Sequence, residues 1–271
     1  MATLSAKERA QLPDRAFAYV DSQGKRRLPI HDAAHVRNAL ARFGQVAFED
    51  DAARDRARIR LLNAAKKHGI MPIGFVSAQL HPDRKLPRGH LTFLLADIEG
   101  STDLLGRLGD RYASVLADVR RLVRGAVRST GGHLVSARGD DVFAVFEGAP
   151  EALEAALAIQ RAMRDHSWPG DSPCRLRVGL HRGRPELTDT GYVGLSVHAA
   201  ARICFSAHGG QIVMSSAVRD ATAESLPDDV SLRALGAWRF RGLPESLDMF
   251  QVDAPDLTRD FPPLRSAVPA G

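Results

Sequence analysis

The sequence is poor in lysine, in cysteine and in long apolar runs. Of its 37 basic residues only five are lysines (Lys7, Lys25, Lys66, Lys67 and Lys85), and none lies between Leu86 and Gly271. The arginines that carry the rest of the charge are scattered among Asp and Glu, with no block of like sign. The net charge of +5 therefore permits phosphate-bearing ligands without specifying nucleic acid, and basic stretches interleaved with aromatics are missing. Two cysteines, Cys174 and Cys204, allow neither a disulfide framework nor a four-thiolate zinc site, and they fit a reducing cytoplasm. Neither has a local His/Asp setting that would make it a nucleophile. No run approaches the ~18 apolar residues of a membrane span, and Met1 to Asp14 has no apolar signal-peptide core. Nucleic acid and membrane are thus not the expected partners.

What is present is ordinary globular material. Hydrophobic residues make up 44% of 271, enough to bury a sizeable core and to exclude wholesale disorder. The length suits one domain plus a smaller companion. Residues 1–75 read as a small, mainly helical module. Phe17–Val20 and Asp21–Gly24 look like a strand and turn. Leu28-Pro-Ile-His31 leads into a helix with Val36, Leu40 and Phe43 at helical spacing. A second helix over 51–67 carries Ile59 and Leu62 on its apolar face. Proline and glycine mark 76–90 as a linker.

From Leu91 the pattern changes to strands alternating with helices, with hairpins among them. Leu91–Ala96 reads as a buried strand, followed by a turn and one long helix to about Ser129. His133–Ser136 and Val142–Phe146 form a hairpin around Arg138-Gly-Asp-Asp141. A helix spans about 150–166, a strand 175–181, a helix 197–207 and a strand 211–215. Short strands follow to Val252, and a Pro-rich tail over 253–271 is expected to be loose. This order predicts an α+β fold, one sheet with helices packed on it.

Asp97 falls where the first of these strands ends, and Asp140 in the hairpin turn. On neighbouring strands the two carboxylates would converge at one sheet edge and hold Mg²⁺ or Mn²⁺ through hard oxygens. Glu99-Gly100-Ser101-Thr102 turns directly into a helix N-terminus, where backbone N–H groups favour anions. Taken alone, these residues fit a helix cap at Asp97 and a turn residue at Asp140 more readily than a metal site.

The run Phe93-Leu-Leu-Ala-Asp97-Ile-Glu-Gly-Ser-Thr102 resembles the opening motif of class III nucleotidyl (adenylate/guanylate) cyclase catalytic domains. Gly139-Asp-Asp-Val-Phe-Ala-Val-Phe146 resembles their second metal motif, and Arg177-Val-Gly-Leu-His-Arg-Gly183 the next strand. Gly194-Leu-Ser-Val-His198-Ala-Ala-Ala-Arg202 resembles the helix bearing the transition-state residues. His208–Ser215 and Phe240-Arg-Gly-Leu243 complete the ordered series over 91–252. The resemblance implies a ferredoxin-like palm and a homodimer with interface sites. It implies attack of a ribose 3′-oxygen on the α-phosphate of ATP or GTP, giving cAMP or cGMP and pyrophosphate. Two metal ions would be held by Asp97, Asp140 and the Ile98 carbonyl. Residues 98–102 and Arg241 would bind the triphosphate, and Arg202 of the partner chain would stabilise charge on the α-phosphate. Ser136 stands where the family has its purine-selecting lysine, Gly191 where that lysine has its partner, and His198 where the family has an asparagine. These departures keep an alternative open: a cyclase-homology module that binds nucleotide or dimerises without turning over. Asp141 reads as a turn residue.

His31-Asp-Ala-Ala-His35 mimics the H-E-x-x-H zinc signature with Asp in the Glu position. No third ligand is evident, and a capped helix start with surface histidines is the expected outcome. The surrounding residues resemble a small module of bacterial and phage proteins whose role is not known.

Overall fold

The computed structural model describes residues 11–70, 86–137, 139–169, 173–188, 191–265 and 268–269. They fall into two compact units, 1–76 and 77–271. Arg138 and most of the expected linker lie outside the described residues.

The first unit is a hairpin with two helices. Strand β1 (Phe17–Val20) pairs antiparallel with β2 (Arg26–Pro29), so a strand occupies residues expected only to lead into a helix. Helix α1 (Ala33–Arg42) is capped by Asp32, whose carboxylate accepts the His35 N–H at 2.8 Å. The expected surface position of its histidine is overturned: His35 is 7% exposed and shares the buried face with Val36 and Ala39. In α2 (Asp51–Lys67) the buried stripe is Ala53, Ala57, Leu61 and Ala65, while Ile59 is only half-buried. Small side chains at i, i+4 spacing let α2 approach closely, which a search for bulky apolar residues misses. Leu28 has a φ of +56°, the only positive value outside glycine among the described residues.

The second unit opens with β3 (Leu91–Ile98), α3 (Ser101–Leu108) and α4 (Tyr112–Ser129). The single long helix expected here is broken, because Gly109 at φ +53° ends α3 and a 3-10 turn precedes α4. Then come β4 (His133–Ser136), β5 (Asp141–Phe146), α5 (Ala149–Asp165) and β6 (Leu176–Gly183). The short hairpin β7 (Glu186–Thr188) and β8 (Gly191–Val193), which the sequence did not announce, leads to α6 (Leu195–Ser206). Strand β9 (Ile212–Ser215), α7 (Ser216–Thr222), β10 (Ser231–Arg239), β11 (Leu247–Asp253) and β12 (Val268–Pro269) finish the order.

The sheet runs β12-β10-β11-β9-β6-β3-β5-β4. Only β6 and β9 pair parallel; the other neighbours are antiparallel. Helices α4, α5 and α7 cover one face, packing on Leu94, Ala96, Ile98, Val142, Ala144, Leu176 and Val178. Helix α6 lies on the other face, over β6 and β3. This is the α+β fold, one sheet with helices packed on it, that the element order predicts.

The described part of the tail is not loose. Leu264 packs with Ile203, Ala207, Trp238 and Phe240. The Arg265 N–H donates to the Ser206 carbonyl at 2.8 Å, and the His208 ring bonds the Pro263 carbonyl at 3.0 Å. Val268 and Pro269 pair with Arg239 and Trp238. Proline rules out interior helix and sheet positions; it leaves a chain free to dock in extended form.

Helix α6 sits close to the sheet because position 179 has no side chain. A Cβ built there would meet the Cys204 backbone nitrogen at 2.3 Å and its Cα at 2.6 Å. Backbone cannot yield as a side chain tip can. Gly179→Ala is therefore expected to destabilise the protein by about 1–3 kcal/mol. Gly125→Ala, at an exposed site in α4 with nothing within 4 Å, should stabilise it by about 0.4–1 kcal/mol. Urea unfolding of the two variants checks the contrast, and equal effects would refute the close-packing argument.

Candidate active site

Two strand ends meet at the edge of the sheet. Asp97 is the penultimate residue of β3, and Asp140 directly precedes β5. The Ile98 N–H donates to the Asp140 carbonyl at 3.1 Å, which ties the two carboxylate-bearing segments together. Asp97 lies opposite Asp141 on β5 and opposite Arg177 on β6. Directly opposed residues project to the same face, so Asp141 joins Asp97 rather than serving only the turn.

Asp97 is 3% exposed and Arg177 7% exposed. The Arg177 Nε donates to Asp97 Oδ2 at 2.7 Å, and its NH2 reaches the same oxygen. Its NH1 donates to the Phe205 carbonyl at 3.2 Å, near the end of α6, and its guanidinium lies 4.8 Å from the Phe205 ring centroid. Burial works against the Arg177 charge, but Asp97, helped by Cys204 and Glu99, holds the pKa above its ordinary value. Arg177 received no role from the sequence. The signal was strand parity: Leu176, Val178 and Leu180 face the helical core, so Arg177 must point with Gly179 toward α6.

Tyr112, at the start of α4, was also missed. It is 6% exposed. Burial raises its phenol pKa, and the nearby Asp140, Cys174 and Asp97 raise it further, so the hydroxyl keeps its proton beside the carboxylates. Cys174 is buried, which pushes its thiol up to about 12; it is the inert thiol the sequence predicted.

Beyond Asp97 the chain turns through Gly100, at φ +63°, into α3. The Glu99 N–H donates to the Arg175 carbonyl at 2.9 Å, and the Glu99 carboxylate pairs with Arg265 at 2.6 Å. Glu99 is thus tied to the tail and to the segment just before β6. The Ile98 N–H is committed to Asp140. Gly100, Ser101 and Thr102 remain at the helix end, with Ser101 buried and Thr102 exposed. The donor set of Asp97, Asp140 and the Ile98 carbonyl is all hard oxygen, which fits Mg²⁺ or Mn²⁺.

A second group forms on α6. His198 and Arg202 are one turn apart on its outer face. A Cβ at Gly242, whose φ is +88°, would lie 3.8 Å from the Arg202 NH2, so the turn carrying Arg241 passes against Arg202. Burial lowers the Arg202 pKa, and the Arg241 charge lowers it further. His198 is lowered by burial and then by Arg202. Crowded positive charge of this kind would be relieved by an anion. Ser136 is 8% exposed, and its hydroxyl has no hydrogen-bond partner. Gly191, at φ +116°, is buried in β8.

The first unit matches a family model described as "Family of unknown function (DUF6582)" over residues 5–72. An uncharacterized protein of Mycobacterium tuberculosis is 38% identical over 190 residues, covering 69% of this chain and 64% of its own length. The chain thus spans less than two thirds of that relative. A second uncharacterized protein of the same organism is 31% identical over 191 residues, with 68% and 74% covered. Among solved structures, adenylate cyclases of Trypanosoma brucei in their monomeric state superpose with a TM-score of 0.59 at 25% identity, covering 68% of this chain and 97% of theirs. Among the described residues no helix is long and apolar enough to cross a membrane.

Removing one partner of the Asp97–Arg177 pair strands the other in the interior. Arg177→Met is expected to cost about 3–5 kcal/mol, and Arg177→Met with Asp97→Asn clearly less than the sum of the singles. A double-mutant cycle by urea unfolding checks this; additivity would mean no coupling. His181, bonded to Ser215 at 2.8 Å, has its pKa lowered by burial to about 4. The unfolded chain, titrating near 6.5, binds that proton first. Stability should therefore fall as pH drops from about 6.5 to about 4. His181→Gln should flatten that segment of the stability profile.

Proposed function

We propose that this chain, a member of the class III nucleotidyl cyclase family through its second unit, is a metal-dependent nucleotidyl cyclase that acts as a homodimer on ATP or GTP. The observation that carries the reading is the juncture of β3 and β5. There the Ile98–Asp140 backbone hydrogen bond ties the two aspartate-bearing segments together just before α3, and both carboxylates bear on the Tyr112 hydroxyl. Class III cyclases use divalent metals. Asp97, Asp140 and the Ile98 carbonyl would hold the ions here, which supply Lewis acidity to the phosphates and lower the pKa of the attacking hydroxyl. The chain's own groups do the rest. The N–H groups of residues 100–102 orient the triphosphate. Arg241 and Arg202, from the partner chain's α6 side, meet its charge. Arg202 stabilises the negative charge growing on the α-phosphate as pyrophosphate leaves. His198 offers a hydrogen bond from the same helix face.

Asp97 has a structural duty to Arg177, so Asp140 is the cleaner probe. Purified protein with Mn²⁺ and ATP or GTP should yield cyclic nucleotide, and Asp140→Asn should remove at least about 99% of it while unfolding as the parent does. Mixing Asp140→Asn with Arg202→Ala chains should restore part of the turnover if sites lie between chains. Full activity of Asp140→Asn would sink the assignment. The second reading, a nucleotide-binding module without turnover, draws on buried Ser136 and on Gly191. Tight binding with no cyclic product from any triphosphate would establish it.

Base selectivity follows from the same two positions. Neither a short buried hydroxyl nor a glycine reaches a purine edge as a lysine and its partner do. ATP and GTP are expected to differ in affinity by less than about tenfold, or about 1.4 kcal/mol. Competition between non-hydrolysable analogues measures this; a hundredfold preference would mean that other residues read the base.

A further inference from the structure

In the first unit, His31, Asp32 and His35 gather at the start of α1, each offering a ligand atom within 4.8 Å of the others. The Asp32 carboxylate sits between the two imidazoles. Its Oδ2 is 3.2 Å from His31 Nε2 and 2.9 Å from His35 Nδ1. The rings themselves are 4.3 Å apart between centroids. Each histidine thus gives one ring nitrogen to Asp32. The other nitrogen of each, His31 Nδ1 and His35 Nε2, is buried and has no hydrogen-bond partner.

A helix cap explains one part of this and leaves the rest. Capping requires only that Asp32 accept the His35 N–H, which it does. Capping does not require two histidines on one carboxylate, nor two buried ring nitrogens with nothing to bond. A buried polar atom without a partner costs about 1–3 kcal/mol, and His35 is 7% exposed, beyond easy reach of solvent. Carboxylates that fix imidazole tautomers are the usual support of metal-bound histidine. With a proton on the nitrogen facing Asp32, each ring keeps a lone pair on the other.

We propose that His31, His35 and Asp32 form a binding site for a divalent transition-metal ion of the zinc type, separate from the Mg²⁺ or Mn²⁺ site of the second unit. Imidazole donors select Zn²⁺, Co²⁺, Ni²⁺ or Cu²⁺ over Mg²⁺. Three protein groups leave a coordination position for water or for another ligand. Asp32 acts either in the coordination sphere or by holding the two rings; in both cases its loss weakens the site.

The test uses the full chain and metal alone. Zn²⁺ is titrated in competition with a chromogenic chelator, and Co²⁺ is added separately to read the visible absorption of a histidine-bound ion. The expected result is one tightly bound equivalent per chain. His31→Ala should abolish it, and Asp32→Asn, which can still cap the helix, should weaken it by about 10–100-fold. Asp140→Asn should leave it unchanged, which separates this site from the cyclase site. His35→Gln alters a buried residue and mixes folding with binding; His31 is partly exposed, with a side chain 25% accessible, and its variant decides the matter. Circular dichroism of His31→Ala confirms that it is folded. Equal Zn²⁺ affinity in His31→Ala and the parent, or no equivalent bound at micromolar Zn²⁺, would overturn the proposal. Loss of the tight equivalent in Asp140→Asn instead would assign the zinc to the second unit and overturn it as well.

Discussion

The buried pair of Asp97 and Arg177 organises the second unit. It joins the central strand β3 to β6, and through the Phe205 carbonyl it joins both to the end of α6. A carboxylate at 3% exposure would carry a large desolvation cost if left alone. Arg177 offsets that cost with two donors to the carboxylate and holds Asp97 in place at the strand end. The helix that bears His198 and Arg202 is anchored by the same guanidinium. Displacing Asp97 would therefore disturb the basic group as well, through the anchored end of α6.

The parts of the fold that follow from local pattern were legible in the sequence. The apolar run of β3, the glycine-rich breaks and the alternation in β6 gave the strands and helices of the second unit in order. The break at Gly109 was not legible, because Arg107 and Arg111 on either side continue a helical pattern and only the backbone angle of Gly109 reveals the stop. Long-range pairing was equally hidden. Nothing near Arg177 names Asp97, eighty residues away, and nothing near Arg265 names Glu99. In the first unit the HDAAH run looked like an exposed cap because histidine is usually solvated. Its place on the buried face depends on the register of α1 against the hairpin, which no local residue states.

The candidate site divides along the same line. Asp97 and Asp140 could be singled out because the runs around them resemble two motifs of a known family; their place at strand ends alone fitted a cap and a turn as well. Their neighbours Tyr112, Asp141 and Arg177 come from three separate elements and needed the sheet register. Arg202 and Arg241 stand 39 residues apart in the chain, yet the turn at Gly242 brings them together. Arginine at both positions keeps the charge fixed under crowding that would favour loss of a proton from lysine. The scarcity of lysine and the survival of this basic cluster are thus compatible: the charge is carried by a side chain that does not titrate.

The docked tail also guards an edge. Asp256 is held by Arg161 and Arg164 of α5, Arg265 by the end of α6 and by Glu99, and Val268–Pro269 by β10. Those last two residues occupy the backbone groups of Trp238 and Arg239 that would otherwise stand as an open edge, a template for unwanted pairing. Release of the tail would therefore uncover a strand edge, and self-association is the hazard that its docking suppresses.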